Sequence, residues 1–401
     1  METTTYKISD IGEVVGGGTP STANSDFWGG DIPWISPKDL TGYKSVYISH
    51  GESFLNKTGL KSGTKLLPKD TVLFSSRAPI GYVAIASNPI CTNQGFKSII
   101  CNKEIINPLF LYYYIKGNLD YIKLFGTGAT FPEISGAAMR KIKVQIPSLP
   151  TQQKIASILS AYDRLIENNT RRIRLLEQMA ENLYKEWFVR FRFPEHENVE
   201  IVNGLPKGWE IKIIADFGRI ETGKTPPMSN QDLYGGDILF VKTPDMHGKL
   251  FVRSTSETLS QEGNNYQRTK LLPINSIMVS CIGTAGIVSI NTNLAHTNQQ
   301  INSIILNNLE DLEWLYYVCR QLKPTIELFG ATGATMTNLS KGKFEKLKIV
   351  VPKVDFRGAF HKRIRPYFKE IYALEQQNTF LTRQRDLLLP RLMSGKLEVK
   401  S

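Results

Sequence analysis

A series of stretches in the first half of the chain recurs, in the same order, in the second half. Residues 17–40, GGTPSTANSDFWGGDIPWISPKDL, match residues 223–246, GKTPPMSNQDLYGGDILFVKTPDM. Residues 65–81 (KLLPKDTVLFSSRAPIG) meet 270–286 (KLLPINSIMVSCIGTAG), and 92–99 (TNQGFKSI) meet 297–304 (TNQQINSI). Residues 125–135 (FGTGATFPEIS) meet 329–340 (FGATGATMTNLS), and 141–147 (KIKVQIP) meet 346–352 (KLKIVVP). The chain is a tandem duplication with a period near half its length. It must fold as one unit made twice, and 401 residues suffice for a core in each.

The repeat decides the meaning of one motif. Gly218, Gly223, Lys224 and Thr225 fit G-x-x-x-x-G-K-[ST], the phosphate loop of nucleotide-hydrolysing enzymes. Such a loop must run straight into a helix, whose first N–H groups hold the phosphates. Here Pro226 and Pro227 follow at once, and proline keeps the residue before it out of the helical region. In the first copy Gly18 replaces Lys224, so the signature is lost while a Gly/Thr-Pro turn is kept.

Each copy has a strand-rich part and a long helix. Short apolar and β-branched runs, such as 71–74, 82–86 and 143–146, are punctuated by Gly, Pro and Asn. One helix is predicted at 107–116 and another near 309–322. The long helices show a seam with alternating steps of four and three, which is a coiled-coil heptad. The first seam runs Ile155, Leu159, Tyr162, Ile166, Asn169, Ile173, Leu176, Ala180, Leu183, Trp187; the second runs Phe360, Ile364, Tyr367, Ile371, Leu374, Asn378, Leu381, Arg385, Leu388, Leu392. Pro366 and Pro390 are expected to start, kink or end the second helix. The fold class is α+β: an irregular strand-rich domain followed by a long helix, twice. The helices are expected to form an antiparallel coiled coil with pseudo-twofold symmetry. The expected boundaries are 1–149 and 209–354 for the two domains, and 150–190 and 355–395 for the two helices. Residues 191–208 form a linker and 396–401 a tail. Asn169 is fifth in its seam and Asn378 sixth, so an antiparallel pair centred on both seams would bring the two amides together.

Composition narrows the partners. Forty-nine Lys and Arg against 37 Asp and Glu give a net charge of +12, and the pI is near 9.3. That favours a polyanion, nucleic acid first and an anionic membrane second. No apolar run is long enough to span a bilayer, and the polar start carries no secretory signal, so no membrane association and a cytoplasmic location are expected. The four cysteines are scattered and the five histidines lack metal spacing, so no metal site is expected.

These features together resemble the DNA-specificity subunit of Type I restriction–modification enzymes. The resemblance covers essentially the whole chain. It rests on the repeated Gly/Thr-Pro turn with FWGGDIPW and LYGGDILF, on LLP followed by TNQ, on GTGAT, and on IPSLPTQQKIASIL leading into a heptad helix. GLPKGWE, opening the second domain, and LLLPRLMSGKLEV, near the end, complete it. One departure is VPKVDFRGAFHKRI, which lacks the Pro-x-Gln-Gln entry of the first helix. The resemblance implies a non-catalytic subunit with no cofactor of its own. Two target-recognition domains would each read half of a split, asymmetric site in double-stranded DNA. The helices would act as spacer and dock two modification subunits, which carry S-adenosylmethionine-dependent methylation. Motor-nuclease restriction subunits would complete the complex.

Competing readings are weaker. NPLF (107–110) is similar to the N-P-P-Y/F loop of amino-methyltransferases, but it lacks the second proline, and the second copy reads NNLEDLEWL. Asn as N-cap with Pro at the first helical position explains it. A stand-alone adenine DNA methyltransferase or nucleotide hydrolase is therefore disfavoured, and a pure coiled-coil scaffold leaves two globular copies unexplained.

Domains that read different half-sites should share phosphate-positioning residues and differ at base-reading ones. Shared candidates are Thr19/Thr225, Ser75/Ser280, Asn93/Asn298 and Gln94/Gln299. Divergent polar candidates are Ser36, Lys38, Arg77 and Lys97 in the first copy, and Lys242, Thr243, Gln300 and Asn302 in the second. Residues 41–64 and 247–269 diverge most and are expected to form a recognition loop. The aromatic residues Phe27, Trp28, Trp34, Tyr234 and Phe240 are expected to pack in the core, because duplex DNA keeps its bases stacked.

Overall fold

A computed structural model describes residues 2–128, 130, 132–330 and 337–399. The tip of each Gly-Ala-Thr motif therefore falls partly outside the described residues. The chain divides into two compact units, residues 1–171 with 375–401 and residues 172–374. Each unit takes one strand-rich domain and half of each long helix.

In the first unit Gly12–Gly16, Lys97–Cys101, Val72–Phe74, Val83–Ala86 and Tyr47–Ile48 form a five-stranded sheet in that order. A second sheet orders Ser53–Leu55, Trp28–Ile35 and Cys91–Thr92. Thr4–Lys7 pairs antiparallel with Lys143–Ile146, tying the start of the domain to the strand that leads into the first long helix. The second unit repeats this arrangement strand for strand. Its five-stranded sheet orders Gly218–Thr222, Ile301–Leu306, Ile277–Ser280, Val288–Asn291 and Phe251–Val252. Glu257–Leu259, Tyr234–Val241 and Ala295–Thr297 form the three-stranded sheet, and Glu210–Ile213 pairs with Lys348–Val351.

The segments expected as recognition loops are ordered in both copies. Each carries two short strands and a short helix, Lys57–Lys61 and Gln261–Tyr266. Asn56 and Ser260 cap these helices: each side chain accepts a backbone N–H, from Gly59 at 2.9 Å and Gly263 at 3.1 Å. A capped helix inside a divergent segment left no periodicity to detect.

Helix Pro108–Gly117 starts on the Asn-Pro pair as expected. The Asn107 side chain accepts the Phe110 N–H at 3.0 Å, with proline at the first position. Its residues from Phe110 to Ile115 are all buried. They share a core with Ile155 and Leu159 of the first long helix and Leu392 of the second. The second unit has the same construction from helix Leu312–Gln321, with Phe360, Ile364, Phe368 and Ile371 of the second long helix and Ala180, Tyr184 and Trp187 of the first. Fully burying one such side chain contributes about 1.5–3 kcal/mol, so each domain is held to its helical base mainly by apolar contact.

The first long helix spans Leu149–Tyr184 and continues as a π-helical turn, Lys185–Val189. The second spans Val354–Met393 without interruption. It neither starts nor ends at Pro366, and Pro390 lies in its last turn. Loss of one N–H is outweighed where Ile364, Phe368 and Ile371 are fixed in the second unit's core.

The helices run antiparallel within each unit. In the second, Arg172 meets Glu370 at 2.6 Å, and Ile173 and Leu176 pack into the same core as Ile371; Leu374 is also buried. In the first, Asn169 is buried and donates to the Asn378 side-chain oxygen at 3.0 Å and to that of Gln377 at 2.8 Å. The two seam asparagines do pair, and their hydrogen bonds fix the register there. Ile166 and Leu381 are half-buried.

Candidate nucleic-acid interface

In each copy the Gly/Thr-Pro turn lies against the Thr-Asn-Gln turn. The N–H of Gly18 donates to the Thr92 carbonyl at 2.9 Å, and that of Lys224 to Thr297 at 2.9 Å. The Thr19 hydroxyl donates to the side-chain oxygen of Gln94, and the Thr225 hydroxyl to that of Gln299 at 2.7 Å. Aromatic side chains hold the first turn from beneath. Trp34 Nε1 donates to the Gly18 carbonyl at 3.0 Å, Trp28 Nε1 to Ser21 at 3.2 Å, and the Tyr234 hydroxyl to Pro226 at 2.7 Å. Of the five aromatics expected in the core, Trp34 and Phe240 are buried, whereas Phe27, Trp28 and Tyr234 are only half-buried.

The approach of the two turns requires the first glycine. A Cβ on Gly17 would stand 2.0 Å from the Asn93 carbonyl oxygen, and one on Gly223 would stand 2.2 Å from that of Thr297. Gly17→Ala and Gly223→Ala should each cost about 1–3 kcal/mol in denaturant unfolding, because backbone must move. Gly16→Ala, whose Cβ would meet nothing within 4 Å, should cost less. Equal losses at Gly16 and Gly17 would show that close approach is not the constraint.

Asn93 and Asn298 shape the second turn. Each side-chain oxygen accepts a backbone N–H two residues on, from Gly95 at 2.8 Å and Gln300 at 3.2 Å. Beyond that turn the copies differ. In the first, Lys97 and Arg77 flank Glu133, at 3.2 Å and 3.4 Å from its two oxygens. The site of a Cβ on Gly95 lies 3.4 Å from the Pro37 ring and 3.6 Å from Arg77 Cγ. The segment after Ser36 thus joins the same cluster. In the second copy neutral side chains meet at this place. The Gln300 side-chain oxygen accepts from Asn298 at 3.0 Å and from Thr243 at 3.3 Å.

Other candidates stand apart. Ser75 and Ser280 are fully buried. Their hydroxyls donate to the Pro79 and Thr284 carbonyls at 2.8 Å and 2.7 Å and accept the N–H groups of Tyr82 and Ile287. They hold a turn from inside the domain, which corrects their placement among phosphate-positioning residues. Asn302 is likewise buried, accepting the Thr222 hydroxyl at 2.6 Å. Ser36 donates to Asp39 at 2.8 Å. Lys38 is exposed and paired with Glu52 at 2.9 Å, whose carboxylate raises the ammonium pKa. Lys242 pairs with Glu257 at 2.5 Å.

Glu133 was missed by sequence reasoning. Aligning FPEIS with MTNLS places it opposite Asn338, a charge difference next to a shared serine that could have marked it. Among the described residues no cluster of His, Cys, Asp and Glu could hold a metal ion, and no helix is long and apolar enough to cross a membrane.

Comparisons with known proteins agree on one family. The family model described as Type I restriction modification DNA specificity domain matches residues 1–178 and again 206–379. The Type I restriction enzyme MjaIX specificity subunit of Methanocaldococcus jannaschii is 36% identical over 98% of this chain and 93% of its own length. The HindI specificity subunit of Haemophilus influenzae is 34% identical over 90% of this chain and 96% of its own. The fold is similar to the crystal structure of the Type I restriction–modification S subunit from M. genitalium, with a TM-score of 0.65 at 14% identity, covering 100% of this chain and 97% of that one. With both copies matched by one family model and relatives of this identity spanning nearly the whole sequence, the chain belongs to the specificity subunits of Type I restriction–modification enzymes and is a non-catalytic subunit.

Proposed function

We propose that the chain reads a bipartite, asymmetric site in double-stranded DNA, one half with each strand-rich domain, and docks modification subunits on its long helices. One observation carries this reading. Two copies of a single scaffold present the same paired turns, Thr19–Gln94 and Thr225–Gln299, beside different polar sets. Shared turns suit phosphate contact, which carries no sequence information, and the differing residues suit base edges. The net charge of +12 favours the polyanion. Thr19, Gln94, Thr225 and Gln299 are the positioning residues under this reading. Ser36, Arg77, Lys242 and Gln300 are the candidates for base edges.

The long helices supply a second surface. Ile158, Leu165 and Met179 are exposed and fall at heptad spacing on the first helix; Phe380 and Leu387 do so on the second. Apolar side chains exposed at a regular spacing, outside the seam, suit protein partners. S-adenosylmethionine then belongs to the modification subunits. Co-expression with those subunits and mapping of methylated bases should return two different half-sites separated by unread base pairs. A continuous palindrome would overturn the two-domain reading. Leu165→Glu with Met179→Glu should abolish co-purification of the modification subunits while each domain stays folded; intact assembly would remove the docking role.

A further inference from the structure

We infer that Arg77 reads a guanine in the half-site of the first domain, and that Glu133, tethered by Lys97, positions it. This rests on the half-site reading above. Glu133 divides its carboxylate between two cations: Lys97 Nζ stands 3.2 Å from one oxygen and Arg77 Nη1 stands 3.4 Å from the other. The two cations are not equivalent. Lys97 Nζ also donates to the Gln94 carbonyl at 3.2 Å and to the Ser76 hydroxyl at 3.5 Å. An ammonium has three N–H groups, so Lys97 is saturated, and its side chain is only 15% exposed. Its work is to fix Glu133 against the Thr-Asn-Gln turn.

Arg77 is 39% exposed, and among the described residues its guanidinium donates only to Glu133. Four of its five N–H groups are left for another partner. A planar fork held at one nitrogen by Glu133 keeps a free edge that can donate two parallel bonds, and guanine offers O6 and N7 at that spacing. A phosphate is the poorer match, because it would approach a site with a carboxylate at its centre. The second copy has Ile282, Asn302 and Asn338 at the equivalent positions, with no charge among them. The contact therefore belongs to the first domain alone.

The test is selection from randomised duplex DNA by the full chain in complex with its modification subunits. The wild type should fix a guanine at one position of one half-site. Arg77→Ala should relax the preference at that position roughly 5- to 150-fold, the range of one bidentate base contact, and leave the other half-site unchanged. Glu133→Gln, which keeps the shape and removes the charge, should relax the same position by a smaller factor, with an unfolding midpoint close to that of the wild type. A merely structural Glu133 would lower the midpoint without favouring one base. The inference fails if Arg77→Ala weakens all sequences alike, leaves selection unchanged, or alters a position other than the one Glu133→Gln alters. A wild-type complex that selects no split site would instead sink the half-site reading itself.

Discussion

Replacing His361 and Arg365 together by alanine should destabilise the second domain by about 3–5 kcal/mol, the cost of leaving a buried charge without its partner. The charge is Glu313, on helix Leu312–Gln321, with no accessible side-chain surface. One carboxylate oxygen lies 2.6 Å from His361 Nδ1 and the other 3.2 Å from Arg365 Nη1. His361 and Arg365 stand one turn apart on the second long helix and keep part of their surface in water. Stranding either of them would therefore cost less than stranding Glu313. Glu313→Gln retains an acceptor oxygen and removes the charge, so it should be milder than the double replacement. Arg357, one turn earlier, pairs with Asp311. Burial pushes the Asp311 carboxyl up, and the Arg357 charge pulls it back. Denaturant unfolding followed by circular dichroism and by fluorescence from the buried Trp314 measures the loss. A double variant as stable as Glu313→Gln would show that the ion cluster does not hold this helix to the domain.

The elements most legible in the sequence are those that a period encodes. The duplication led directly to two units with the same strand orders, because each copy must bury its own core. The four-three seam located both long helices. Counting along it brought Asn169 to Asn378, now joined by a hydrogen bond of 3.0 Å. Capping chemistry placed the start of helix Pro108–Gly117. The second helix continues through Pro366, because the local penalty is real but smaller than the burial of its neighbours.

The candidate site was legible only as a neighbourhood. Comparing copies found the paired turns, since Thr19–Gln94 and Thr225–Gln299 recur as residues and as contacts. It could not separate a recurring surface residue from a recurring internal one. Ser75 and Ser280 recur because both ends of a turn need the same hydroxyl. Charge partners were invisible for a different reason. Glu133 lies 36 residues from Lys97 and 56 from Arg77, and no local pattern ties them together. The lack of histidine spacing reflects individual roles. His296 is buried against Asn264 at 2.9 Å, and burial pushes its pKa down to about 4.

Arg385 shows the same gap inside the helical pattern and carries the second large expected effect. It occupies a seam position where an apolar residue is the rule, yet its side chain is only 17% exposed. Its guanidinium pairs with Asp163 of the first long helix, and the other Asp163 oxygen accepts the Tyr113 hydroxyl. Burial first, and the Asp163 charge second, push the Tyr113 hydroxyl pKa up, so it remains a donor at any ordinary pH. Three elements of the first unit thus meet on one carboxylate. Arg385→Met should cost about 3–5 kcal/mol, because it removes the partner of the buried Asp163 side chain. Replacing only one partner cannot tell a stabilising pair from a costly one. The triple variant Tyr113→Phe, Asp163→Leu, Arg385→Met leaves no polar atom stranded there and should recover most of that loss, since buried ion pairs barely repay their desolvation. Limited proteolysis gives an independent readout. In Arg385→Met the segment after residue 375 should be cut faster than in the wild type, and the triple variant should restore its protection. If the triple variant were as unstable as Arg385→Met, the network would contribute net stability beyond its own desolvation. If Arg385→Met were itself neutral, the Asp163–Arg385 pair would not hold the second long helix to the first unit.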